Sequence, residues 1–194
     1  MANKASVAWV GTDYEGCGIV VFHHHGLAAR RLAAEAKGED FDSIELRRAP
    51  EFDQYANQGY VPQMDLIRAG WWFECAHCAA RIDEEHTPLH QIVQEEEALF
   101  CSKACKAARD QGIQDVNDRF EAFKEKVQAL RPDLTFTSFR GGWPMTNMSA
   151  AFSFPGMQHN ASVHEDKGQL TWWISGEDQD AWDQYEASRT ASNE

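Results

Sequence analysis

Apolar positions along the chain fall into three successive patterns. The N-terminal part has short apolar runs separated by polar turns. Val7-Ala-Trp-Val10 and the β-branched run Ile19-Val-Val-Phe22 predict two strands, with Asp13-Tyr-Glu-Gly-Cys-Gly18 as the turn between them. Leu27 to Lys37 is rich in Ala and Leu, with Leu27, Arg31 and Ala34 at helical spacing, and Gly38 stops it. Ser43-Ile-Glu-Leu-Arg47 alternates and predicts another strand. Strand, helix and strand together predict a small parallel βαβ piece with a right-handed crossover. From Pro50 to Pro62 the pattern loosens around a short helix at Phe52–Ala56, and Leu66 to Phe73 returns to the core.

The middle of the chain changes period. Ile113, Val116, Phe120, Phe123, Val127 and Leu130 are spaced 3, 4, 3, 4, 3, a helical seam that Arg131-Pro132 ends. A seam of this length predicts core packing rather than a coiled coil between two chains.

The last third alternates with period two. Leu134–Phe139, Ser149–Phe154, Ala161–His164 and Gln169–Ile174 predict an antiparallel sheet, with turns at Gly141-Gly-Trp-Pro144, Pro155-Gly156 and Glu165-Asp-Lys-Gly168. Ser175 with Asp178 three residues on reads as a variant capping box that opens a short acidic helix through Tyr185. The predicted fold class is α+β. It comprises a βαβ-like N-terminal part (1–70), a cysteine-rich segment with the long helix (71–131), and a sheet with an acidic helix (132–194). One compact domain holding all three is the alternative.

Composition narrows the classes. Hydrophobic residues make up 43% of the 194 positions, which is ordinary for a globular protein. No apolar run approaches the roughly 20 residues of a membrane helix. The start of the chain lacks the pattern of a signal peptide, so a cytoplasmic location with reduced thiols is expected. The net charge is −13, and residues 141–194 carry eight acids against two bases. Such a surface repels phosphate backbones and suits a basic protein partner.

The cysteines carry the most specific signal. Cys75 and Cys78 form a C-x₂-C pair, and Cys101 and Cys105 form a C-x₃-C pair 22 residues later. Two close thiol pairs in a reducing compartment can close a tetrahedral shell around one structural Zn²⁺. Between them, His90–Val93 and Ala98–Phe100 can pair around Gln94–Glu97. Four thiolates leave no open coordination position, so zinc catalysis is not expected. His77, His86 and His90 read as loop residues.

The order of knuckle, hairpin and ligand-bearing helix resembles a treble-clef zinc finger. The text Phe100-Cys-Ser-Lys-Ala-Cys105 is similar to the signature of TRASH-like and MYM-type fingers, over about residues 72–109. The resemblance implies Cys75, Cys78, Cys101 and Cys105 as the four ligands and a role in metal handling, protein contact or nucleic-acid binding. The remaining lobes are similar to small accessory proteins of phage and prophage type.

Other residues offer weaker chemistry. His23-His24-His25 ends a strand, where neighbouring side chains alternate in direction, so a polar turn is expected rather than a shared metal. Cys17 is a lone thiol that needs an activating base, and His23 is six residues away. No P-loop, Gly-x-Ser-x-Gly elbow or His-Glu-x-x-His occurs. Lys103, Lys106 and Arg109 form a small basic stripe that could meet phosphate. Trp71-Trp72 and Trp172-Trp173 each place one ring on either face of a strand. The expected function is therefore a non-enzymatic, zinc-stabilised protein that works by protein contact. Glu177, Asp178, Asp180, Trp182 and Asp183 form the candidate contact face for a basic partner, a phage-type accessory role being one form. The alternative is a nucleic-acid-binding zinc finger using Lys103, Lys106 and Arg109. The oligomeric state is left open.

Overall fold

A computed structural model of the chain describes residues 6–191. It contains two compact units. One runs to Cys75 and resumes from Ala79 to Cys101; the other takes Ala76–Cys78 and the described residues from Ser102 onward.

The first unit begins with β1 (Val7–Thr12), paired antiparallel with β2 (Gly18–His23) from Thr12↔Gly18 to Val7↔His23. The connecting turn is set by Asp13, whose Oδ1 accepts the backbone N–H groups of Glu15 (3.0 Å) and Cys17 (2.8 Å). Lys37 donates to the other carboxylate oxygen at 2.7 Å, and this hydrogen bond holds the Asp13 carboxyl below the usual carboxylate range. Helix α1 (Gly26–Lys37) ends at Gly38 in the left-handed conformation, φ 69°. The chain then forms β3 (Glu45–Arg48), antiparallel to the free side of β1, giving the order β2-β1-β3.

Strands β2 and β3 therefore run in the same direction and are joined by α1, as a βαβ unit requires. They are not neighbours, because β1 lies between them. The two sheet faces bury different sets. Ala29, Ala33 and Ala34 of α1 pack with Val21 and Ile44 on one face. A β-carbon on Gly11 would stand 2.7 Å from that of Ala33, so this helix seats directly on the β1 backbone. On the other face Ala8 and Val10 meet Phe52, Val61 and Leu66. These come from a 3₁₀ turn at Pro50–Tyr55 and from α2 (Gln63–Arg68) with the segment before it. Asp53 fixes that turn to the sheet, accepting Ala8 N–H at 2.7 Å and the Arg48 guanidinium at 2.6 Å. Two short antiparallel pairs complete the unit: β4 (Phe73–Glu74) with β5 (Arg81–Ile82), and β6 (Val93–Glu95) with β7 (Ala98–Phe100).

The second unit holds α3 (Lys103–Leu130), a four-stranded antiparallel sheet and α4 (Gln179–Ala191). Its strands are β8 (Thr135–Arg140), β9 (Met148–Ser153), β10 (Ala161–Asp166) and β11 (Gln169–Ile174), in the order β11-β10-β9-β8. Inward residues alternate as the sequence predicts: Met148, Ala150 and Phe152 on β9, Ala161 and Val163 on β10. Phe123 and Val127 of α3 close this core, with Trp182 and Tyr185 of α4 against Phe154. Arg131 lies over the rings of Trp172 and Trp182 and pairs with Asp133 (2.7 Å) and Glu186 (2.6 Å). That Arg131 hydrogen bond is the main reason the Asp133 carboxyl lies well below the usual range.

The helical seam is buried unevenly. Phe123 and Val127 are fully buried, Ile113, Val116 and Phe120 are half-buried, and Leu130 is 57% exposed. The expected capping box at Ser175 does not form. Ser175 makes no side-chain capping bond, and the Asp178 carboxylate is used elsewhere. No helix among the described residues is long and apolar enough to cross a membrane.

Candidate metal centre

Local geometry brings the two cysteine pairs together. Cys75 follows β4, and the chain folds back through Ala79, whose φ is 56°, into β5. The turn is held by Ala79 N–H to Cys75 C=O and Cys75 N–H to Ala80 C=O, both 2.9 Å. Cys101 lies at the end of the β6–β7 hairpin, whose two-residue turn is Glu96-Glu97 with Glu96 at φ 50°. Ser102 is the N-cap of α3: its hydroxyl accepts the N–H of Cys105 at 3.2 Å, which fixes Cys105 in the first helical turn.

All four sulfurs lie within 4.8 Å of one another, and they are the one such group of metal-ligating side chains among the described residues. Cys75 is buried, Cys101 and Cys105 are half-buried, and Cys78 is exposed. Cys105 Sγ is 3.7 Å from Cys78 Sγ, and the backbone N–H of Cys101 points at Cys75 Sγ at 3.4 Å. An N–H directed at sulfur stabilises a thiolate, the form that binds metal. The donor set is therefore suited to one metal ion held by four sulfurs.

The loop between the pairs is organised by Asp83, which the sequence reading passed over. Its carboxylate, 5% exposed as a residue, accepts the N–H groups of Glu85 (3.1 Å) and His86 (2.7 Å). It also bonds His86 Nδ1 (2.8 Å) and the Arg81 guanidinium. Burial pushes its pKa up, but these hydrogen bonds together outweigh it and bring it down to about 2. An Asp opening a tight turn in Asp83-Glu-Glu-His86 is the signal that could have revealed it. His86 is thus committed to Asp83, and His77 and His90 are exposed outside the sulfur cluster.

The remaining candidate residues separate. Of the basic stripe, Lys103 is exposed, Lys106 pairs with Asp110 at 2.7 Å, and Arg109 stacks on Trp143 at 4.1 Å. Of the acidic set, Glu177, Asp180 and Asp183 are exposed, whereas Asp178 is 2% exposed. Asp178 accepts the N–H groups of Gln158 (3.0 Å) and His159 (2.8 Å), and its carboxyl lies below the usual range. Burial acts against that shift and the two backbone bonds drive it. Trp182 packs into the sheet core. Asp178 is therefore enclosed, and Trp182 is half-buried against the core of the second unit. His23 Nδ1 accepts the N–H of His25 at 3.0 Å, and the rings of His23 and His24 stack at 4.3 Å instead of alternating in direction, because the strand ends in a bend there. Cys17 is exposed beside the first turn. The chain matches no protein-family model, no curated protein and no solved structure.

Proposed function

We propose that the chain is a non-enzymatic protein stabilised by one structural Zn²⁺ on Cys75, Cys78, Cys101 and Cys105, in a treble-clef arrangement, and that it works by protein contact. The convergence of the four sulfurs within 4.8 Å, on a knuckle and at a helix start, carries this reading. Zinc is the metal that a closed set of four thiolates fits best, and such a shell leaves no position for substrate. The contact face is the exposed acidic edge of Glu177, Asp180 and Asp183 at the start of α4, and the net charge of −13 supports a basic partner. An accessory protein of phage type that blocks a basic host protein is the specific form put forward.

The nucleic-acid reading draws less support, since a net charge of −13 opposes a phosphate backbone. Zinc-loaded protein titrated with a Lys/Arg-rich peptide and with duplex DNA separates the two. The proposal expects peptide binding that weakens with salt and is lost in the Glu177→Lys, Asp180→Lys, Asp183→Lys triple variant. DNA binding abolished by Lys103→Glu, with no peptide binding, overturns it.

A further inference from the structure

The first unit contains a cavity of about 540 Å³ that the proposed function does not use. It opens between the β1–β2 turn, β3 and the stretch leading into β4, and this volume lies within the range of small-molecule sites. Three consecutive rings, Trp71, Trp72 and Phe73, line it. Trp71 is half-buried, and its ring lies so close to β2 that a β-carbon on Gly18 would stand 2.7 Å from it. That wall is built into the fold. Trp72 is 51% exposed and carries the Arg81 guanidinium at 5.4 Å from its ring centre.

The polar lining carries one charge of each sign, Arg47 and Glu15. Arg47 is its cation; the side chain is 60% exposed and, among the described residues, pairs with the half-exposed Glu51 at a long 3.6 Å. Glu15, Thr12 and Cys17 come from the first strand and its turn. Aromatic walls with one available guanidinium match a planar ring that carries a carboxylate: the ring stacks, and the guanidinium takes the anion in a bidentate pair.

We infer that this cavity binds a small planar aromatic carboxylate, with Trp72 stacking on the ring and Arg47 pairing with the carboxylate. The lining shares no residue with the sulfur cluster or with the acidic edge of α4, so the inference does not rest on the contact face, while its Cys17 readout rests on the other four thiols being held by metal. Cys17, on the lining, serves as a reporter.

The test uses the zinc-loaded full chain and 2-naphthoate as the probe, with 2-naphthylmethylammonium as the control of opposite charge. Binding is read by calorimetry and by protection of Cys17 from alkylation, with Cys17→Ser defining the reporter signal. Zinc content and circular dichroism are measured for every variant. The expected result is saturable binding of one 2-naphthoate per chain that slows Cys17 alkylation several-fold. Arg47→Gln and Trp72→Ala should each weaken it at least about tenfold, with fold and zinc content unchanged. Absence of saturable binding overturns the inference. So does equal binding of the ammonium control, or binding that both variants leave intact.

Discussion

Phe123 and Leu130 occupy the same apolar seam of α3, yet one is 1% exposed and the other 57%. Truncating each to alanine therefore tests whether the helix sits on the sheet as described. Phe123→Ala removes a ring enclosed by the core of the second unit. If the site stays open, the void is on the order of 100 Å³, which at about 24 cal/mol per Å³ costs about 2.4 kcal/mol. Lost transfer energy of the ring adds about 2 kcal/mol. The sum of about 4 kcal/mol is a large part of the roughly 5–15 kcal/mol that holds a domain together. Leu130→Ala removes a side chain already largely in water and should cost less than about 0.5 kcal/mol. Urea unfolding of zinc-loaded protein, followed by circular dichroism, reads both values from the shift in midpoint at constant slope. Equal losses for the two variants, or a loss above about 1.5 kcal/mol for Leu130→Ala, would refute this placement of α3.

Two further outcomes follow from single residues. Asp178 has a depressed carboxyl pKa in the folded protein, so the stability it contributes is present above the unfolded value of about 4 and is lost as pH falls through the lower folded value. Acid titration of the Trp182 environment by near-ultraviolet dichroism should show this loss below about pH 4, and Asp178→Asn should flatten it. An unchanged acid transition in that variant contradicts the role given to Asp178. Ser102→Ala removes the N-cap that fixes Cys105 and should cost about 1 kcal/mol. It should also weaken metal affinity several-fold in a competitive chelator titration, whereas unaltered affinity would show that the cap does not position the ligand.

Local signals were readable wherever the responsible partners lie close in sequence. The thiol spacings, the Gly38 stop and the alternation of β9 and β10 all correspond to structure because each is settled within a few residues. The insertion of β1 between β2 and β3 depends on pairing between Trp9 and Arg48, nearly forty residues apart. Asp178 looks like a capping residue in sequence, but its buried carboxylate takes two backbone N–H groups about twenty positions earlier, which outweighs a local cap. The pairing of Lys106 with Asp110 was legible as an i,i+4 charge pair, while the stacking of Arg109 on Trp143 required the loop after β8. The cavity lined by Trp71 and Trp72 draws on residues from three separated segments, so spacing alone gave no sign of it.

The proposal turns on four sulfurs binding one structural zinc ion. Metal analysis of protein purified without added metal or chelator, joined to thermal melting before and after a strong chelator, decides it. One zinc per chain is expected, lost in Cys75→Ser and Cys105→Ser, with a large drop in melting temperature on removal. Structural zinc contributes on the order of 10 kcal/mol of apparent binding energy, so the drop should be unmistakable. A chain that carries no zinc, or that melts at the same temperature after zinc is stripped, would contradict it.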